Sequence, residues 1–142
     1  MNYLEHLERM LDANFRIISI ETYDPERVEE LFTQLSRFSS KPFYLYQGEE
    51  GLHRIGASHI KIPRTQAPLE LARHILKNTH YGVYIIRNFN PALTDKSVVQ
   101  TLKQIATEKT NKVVVLLSEY IDLPEDLKPF TLRSKHQMRK AI

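Results

Sequence analysis

The segment Tyr81–Leu117, YGVYIIRNFNPALTDKSVVQTLKQIATEKTNKVVVLL, constrains the fold more than any other part of the chain. Gly82 to Ile86 and Lys112 to Leu117 are short runs rich in Val and Ile, without room for polar alternation. That is the pattern of parallel strands covered on both faces. Between them Val98, Val99, Leu102, Ile105 and Ala106 recur at three- and four-residue spacing, which gives a helix one apolar stripe. The segment therefore predicts a βαβ unit. It carries no complete catalytic constellation, and the rest of the chain supplies none.

The flanking sequence extends the same alternation. Tyr3, Leu4, Leu7, Met10 and Leu11 predict an amphipathic helix that covers the core. Phe15 to Ile20 is a β-branched run suited to a first central strand. Asp24 and Pro25 then start a helix, an acceptor at the N-cap followed by a residue that loses nothing at the first helical position. Its stripe is Val28, Leu31, Phe32, Leu35 and Phe38, closed by Ser39, Ser40 and Pro42. Phe43 to Gln47 reads as a second strand, Gly48 to Gly51 as a turn, and Leu52–Ile55 with His59–Ile62 as an edge hairpin. A further helix runs from Pro68 to Asn78, and a short helical turn is expected near Leu123–Leu127. Phe130 to Leu132 is expected to add an edge strand. Strands alternating with helices predict a three-layer α/β domain with a mostly parallel sheet.

At 142 residues one core is expected and two ordinary domains are not. Cysteine is absent, which excludes disulfides, thiolate metal sites and thiol nucleophiles, and fits a reducing compartment. The N-terminus carries Glu5, Glu8 and Arg9 within its apolar pattern, unlike a signal peptide, and no run reaches membrane-spanning length. A cytoplasmic protein without membrane attachment is expected. The net charge of +3 rests on Arg133, Lys135, Arg139 and Lys140, since the body without these four is near neutral (+3 − 4 = −1). The expected organisation is a single α/β domain over residues 1–132 and a basic tail over 133–142, the tail being the part suited to touch phosphates.

In such a sheet a ligand would sit beyond the first strand, where a phosphate meets a helix N-terminus. Glu21 to Glu30 contains neither glycine nor lysine, and Asp24, Glu26, Glu29 and Glu30 put carboxylates in and around the first helical turn. Those charges complement the helix dipole themselves and would repel an anion. The strand Val83–Ile86 leads into Arg87, Asn88, Phe89 and Asn90, with asparagine where a magnesium site would use a carboxylate. Asn88 and Asn90 read as turn residues before Pro91. His53 and His59 lack a third ligand and suit a polar edge strand, and the adjacent Glu49 and Glu50 are assigned no acid/base role. No Ser, His and Asp arrangement has a recognisable nucleophile elbow. Tyr44, Tyr46 and Phe89 would be the stacking groups of a nucleic-acid surface, but they lie in apolar runs that suit a core.

Several short motifs carry a resemblance. They are the strand ending in Glu21 and Thr22 before a charged helix with Arg27, the Gly51–Leu52 pair, the run Tyr84–Phe89, and Leu116, Leu117, Ser118 leading to Leu123, Pro124, Glu125, Asp126, Leu127. With these, residues from Leu4 to Leu127 resemble the N-terminal domain of an AAA-type ATPase family first described from chloroplast and cyanobacterial reading frames. The resemblance implies a degenerate P-loop fold of the RecA type, without the phosphate loop, placed ahead of a catalytic module. The family's usual aspartate at the strand end is Asn88 here, and the chain stops at Ile142 without an ATPase module. An excised domain and a free-standing relative both fit.

The expected function is a non-catalytic interaction or regulatory domain, without cofactor, metal or ATPase activity of its own. Its expected partner is a protein, an AAA-type ATPase module or a client. Glu21, Thr22, Asp24, Arg87, Asn88 and Asn90 are the candidates for a vestigial site or interaction surface. Arg133, Lys135, Arg139 and Lys140 are the candidates for nucleic-acid contact. The alternatives are a weak nucleotide-binding protein or NTPase, and a nucleic-acid-associated protein that uses the tail.

Overall fold

A computed structural model describes residues 2–108 and 112–136, the side chain of Ser58 excepted. The elements are α1 (Tyr3–Leu11), β1 (Ile17–Thr22), α2 (Pro25–Arg37), β2 (Phe43–Tyr46), β3 (Leu52–Arg54), β4 (Ala57–Ile62), α3 (Pro68–Lys77), β5 (Gly82–Arg87), α4 (Lys96–Thr107), β6 (Lys112–Ser118) and β7 (Thr131–His136). Short 3₁₀ turns occupy Gly48–Glu50, Ala92–Thr94 and Glu125–Phe130.

The strands form one seven-stranded sheet in the order β4-β3-β2-β5-β6-β1-β7. From β2 to β7 all neighbours are parallel, while β3 and β4 add an antiparallel hairpin at the edge. The central βαβ unit is β5, α4 and β6, with Gly82 opposite Lys112 and Arg87 opposite Leu117. Along β6 the pleat sends Val113, Val115 and Leu117 toward α1 and α2, and Val114 and Leu116 toward α3 and α4. Both faces of the central strands are covered, which is why Val and Ile fill them without alternation.

Helix starts follow local chemistry. The Asp24 carboxylate accepts the Arg27 amide at 3.1 Å and Pro25 fills the first turn of α2. The Asp95 carboxylate likewise accepts the Ser97 amide at 2.8 Å to open α4. At the hairpin, Gly51 has φ +72°, and a Cβ there would lie 2.9 Å from Thr65 Oγ1. Buried Thr65 needs that space, because its hydroxyl accepts the Leu52 amide and donates to the Ile62 carbonyl. Lys112 departs from the apolar run around it. It is 1% exposed, and its ammonium donates to the Leu76 carbonyl at 2.7 Å, near the C-terminus of α3 where the helix dipole favours a cation.

Two expectations need correction. The last strand is not confined to Phe130–Leu132: β7 runs to His136, pairing Ser19 with Arg133 and Thr22 with His136. The change in charge at 132/133 falls inside that strand, and Arg133 and Lys135 are exposed strand residues rather than tail. An edge strand keeps one face toward solvent, so alternating cations there are compatible with pairing. Arg139 and Lys140 lie outside the described residues. The second correction concerns the carboxylates after β1. Only Glu26 lies in the first turn of α2. Glu29 and Glu30 sit one turn further on and are each held by an arginine.

Candidate functional site

The chain leaves β1 toward α2 on one face, and leaves β5 and β6 toward α4 and the Glu125–Phe130 turn on the other. Neighbouring parallel strands whose connections part in this way open a crevice at their carboxyl ends. Such a crevice lies beyond β1, β5 and β6. It has a volume of about 520 Å³ and is lined by Tyr23, Asp24, Glu26, Arg87, Asn88 and Tyr120, among others. A smaller hollow of about 230 Å³ adjoins it, with Glu21, Thr22, Lys135 and His136 in its wall. A third, of about 440 Å³, continues past Arg87 and Asn88 to Tyr46 and Pro91.

The site residues expected from sequence gather at this one end of the sheet, with different tasks. Glu21 accepts the Ile121 amide at 2.9 Å and lies 3.9 Å from the Lys135 ammonium. Thr22 is buried. Its hydroxyl accepts the Asp24 amide at 3.0 Å and shares a 2.8 Å hydrogen bond with His136 Nδ1. Burial holds the His136 imidazole below its ordinary pKa, with the Asp24 carboxylate opposing that shift and the Arg27 guanidinium adding to it. Asn90 links two loops, its amide donating to the Tyr120 carbonyl at 3.0 Å and its carbonyl accepting the Asp122 amide at 2.8 Å. Asn88 turns the chain out of β5 with φ +55°, a left-handed conformation that asparagine tolerates better than most residues.

Arg87, in the wall of the crevice, forms a short ion pair with Glu29. Arg87 Nη1 donates to Glu29 Oε2 at 2.6 Å, with the two side chains 21% and 17% exposed. Burial pushes the Glu29 carboxyl up in pKa, more than the neighbouring guanidinium pulls it down. The buried Arg87 Nε has no hydrogen-bond partner among the described residues. The pair fastens α2 to the end of β5.

Glu29 and His136 were not singled out from sequence as site residues. Glu29 reaches Arg87 across 58 positions and His136 reaches Thr22 across 114, so no local spacing reports either contact. The nominal stacking aromatics are committed elsewhere. Tyr46 and Phe89 are buried and meet edge to face, and Tyr44 stacks on Tyr84 at 5.0 Å between ring centroids. His53 faces Lys61 across the hairpin. No group of three or more His, Asp or Glu side chains able to hold a metal occurs among the described residues. None of the described helices is long and apolar enough to cross a membrane.

No curated protein matches the chain. Residues 3–134 match the family model of the SpoVK-like AAA ATPase, N-terminal domain. The chain belongs to that family.

Proposed function

We propose that this member of the SpoVK-like AAA ATPase N-terminal domain family is a non-catalytic interaction or regulatory module, built on a degenerate P-loop fold of the RecA type. The parallel strands, numbered among themselves along the chain, run 2-3-4-1-5 across the sheet, an order that fits such a fold. The observation that carries the reading is the state of the crevice beyond β1. At the N-terminus of α2, where a nucleotide-binding relative would present free amides to phosphate, the Asp24 carboxylate already takes the Arg27 amide and the Thr22 hydroxyl takes the Asp24 amide. Asp24 and Glu26 add negative charge at the same place, and no glycine or lysine lies between Glu21 and Glu30. A triphosphate would meet carboxylates where it needs donors.

The partner in this reading is a protein, either an AAA-type ATPase module or its client. The cysteine-free composition fits a cytoplasmic setting. Thermal denaturation with and without magnesium-ATP tests the central claim. A ligand at a hundred times its dissociation constant would stabilise the fold by about 2.7 kcal/mol, and no saturable shift is expected. A shift that saturates with ATP and is absent with magnesium alone would overturn the reading. The same holds for Asn88→Asp, which restores a carboxylate but no phosphate ligands, and is expected to release no phosphate from ATP.

A further inference from the structure

We infer that the crevice beyond β1 and β6 is a docking surface for an arginine-bearing segment of a partner protein, an inference that rests on the interaction-module reading. Large apolar or aromatic side chains that stay exposed mark recognition surfaces when they cluster. Among the described residues Tyr23 and Tyr120 are 82% and 65% exposed. They stand on different loops, after β1 and after β6, yet line the same two adjoining hollows. The sheet topology has brought them together, and the fold leaves both rings uncovered.

Charge identifies the occupant. Asp24, Glu26 and Glu119 line the crevice with the two tyrosines, and none of the three is ion-paired among the described residues. Among the described residues the cations nearby have other partners, Arg87 with Glu29, Arg27 with Glu30, and the exposed Lys135 3.9 Å from Glu21. The crevice thus offers aromatic faces and unpaired carboxylates together. A guanidinium uses both, stacking on a ring while donating in a bidentate fork to a carboxylate. An ammonium lacks the planar fork, and a nucleic-acid phosphate would be repelled. Tyrosine also supplies contact area at low cost in side-chain entropy, which is why it recurs at the centres of protein interfaces.

Fluorescence anisotropy with the full chain and a labelled peptide of alternating arginine and serine tests the assignment. Saturable binding is expected, weakening as salt rises, with the lysine–serine peptide weaker and a glutamate–serine peptide not bound. Tyr23→Ala and Tyr120→Ala should each weaken binding by about tenfold. Glu26→Gln with Glu119→Gln should weaken it and flatten its salt dependence. All four positions are exposed, so urea midpoints should shift only slightly, most for Glu26→Gln because its charge complements the α2 dipole, and they report folding separately. Failure of the arginine peptide to bind would overturn the proposal, as would wild-type binding by the tyrosine variants. Direct binding of a labelled RNA oligonucleotide to the chain, lost in the tyrosine variants, would assign the crevice to nucleic acid instead. Magnesium-ATP is tested separately on the chain without peptide, by thermal denaturation: a saturable shift would bring down the non-catalytic reading as well, whereas loss of peptide binding alone leaves that reading intact.

Discussion

Removing Arg87 should damage the fold more than removing the charge of its partner, and the damage should depend on pH. Arg87 Nη1 and Glu29 Oε2 are 2.6 Å apart with the side chains 21% and 17% exposed. Breaking a fully buried pair by deleting one partner costs about 3–5 kcal/mol, and an exposed pair contributes about 0–1 kcal/mol. This pair lies between those limits, so Arg87→Met should cost about 2 kcal/mol at neutral pH, since it strands a largely buried carboxylate. Glu29→Gln keeps an acceptor for the guanidinium and should cost less than about 1 kcal/mol. The sign of the pH effect follows from the raised Glu29 pKa. The native state keeps that proton where the unfolded chain has lost it, so the group supports the fold at acid pH. Its support is lost as pH rises through the native value. Without Arg87 the native value rises further. The deficit of Arg87→Met should therefore be small at about pH 4 and reach its full size by neutral pH. For a chain of this length about 4 °C of melting temperature corresponds to 1 kcal/mol, so thermal melts across that range resolve the effect. A deficit that is the same at both ends of the range, or a larger loss for Glu29→Gln than for Arg87→Met, would refute the reasoning.

Asn88 has φ +55°, so Asn88→Ala should lose roughly 1 kcal/mol by urea denaturation while Asn88→Gly should not. Deleting residues from Arg133 onward removes four of the six residues of β7 and the Tyr3 contact to Ser134, and exposes the edge of β1. It should cost at least about 3 kcal/mol, taking about 1 kcal/mol for each lost hydrogen bond; an unchanged urea midpoint would contradict the strand assignment. Burial pushes the Tyr84 phenol up to about 12, against the lowering effect of its hydrogen bond from Asn78. In a tyrosinate absorbance titration Tyr84 should be among the last of the tyrosines to ionise. Because its value is raised, its contribution to stability is complete below about pH 10 and is lost as pH climbs through about 12.

The sequence by itself determined the layers. Short Val-rich runs without alternation have the pattern of strands covered on both faces, and β5 and β6 are buried along nearly their whole length. Asp24 with Pro25 started α2 where capping chemistry requires, because a cap is made by residues three apart in the chain. The missing glycine and lysine after β1 were equally legible, since a phosphate loop is a local motif. Local pattern failed where partners are distant. The charge of Arg133 and Lys135 suggested a solvated tail, yet β1 needed an edge partner and took these residues into β7. Carboxylates that looked alike along α2 separated: among the described residues Glu26 has no ion pair and lines the crevice, whereas Glu29 and Glu30 are held by Arg87 and Arg27. That Tyr23 and Tyr120 line the same hollows depends on β1 lying next to β6, which is a property of strand order. Spacing along the chain reports what a few neighbouring residues do to one another, whereas strand order is settled by which apolar faces can be buried together, and that is decided only when the whole sheet assembles.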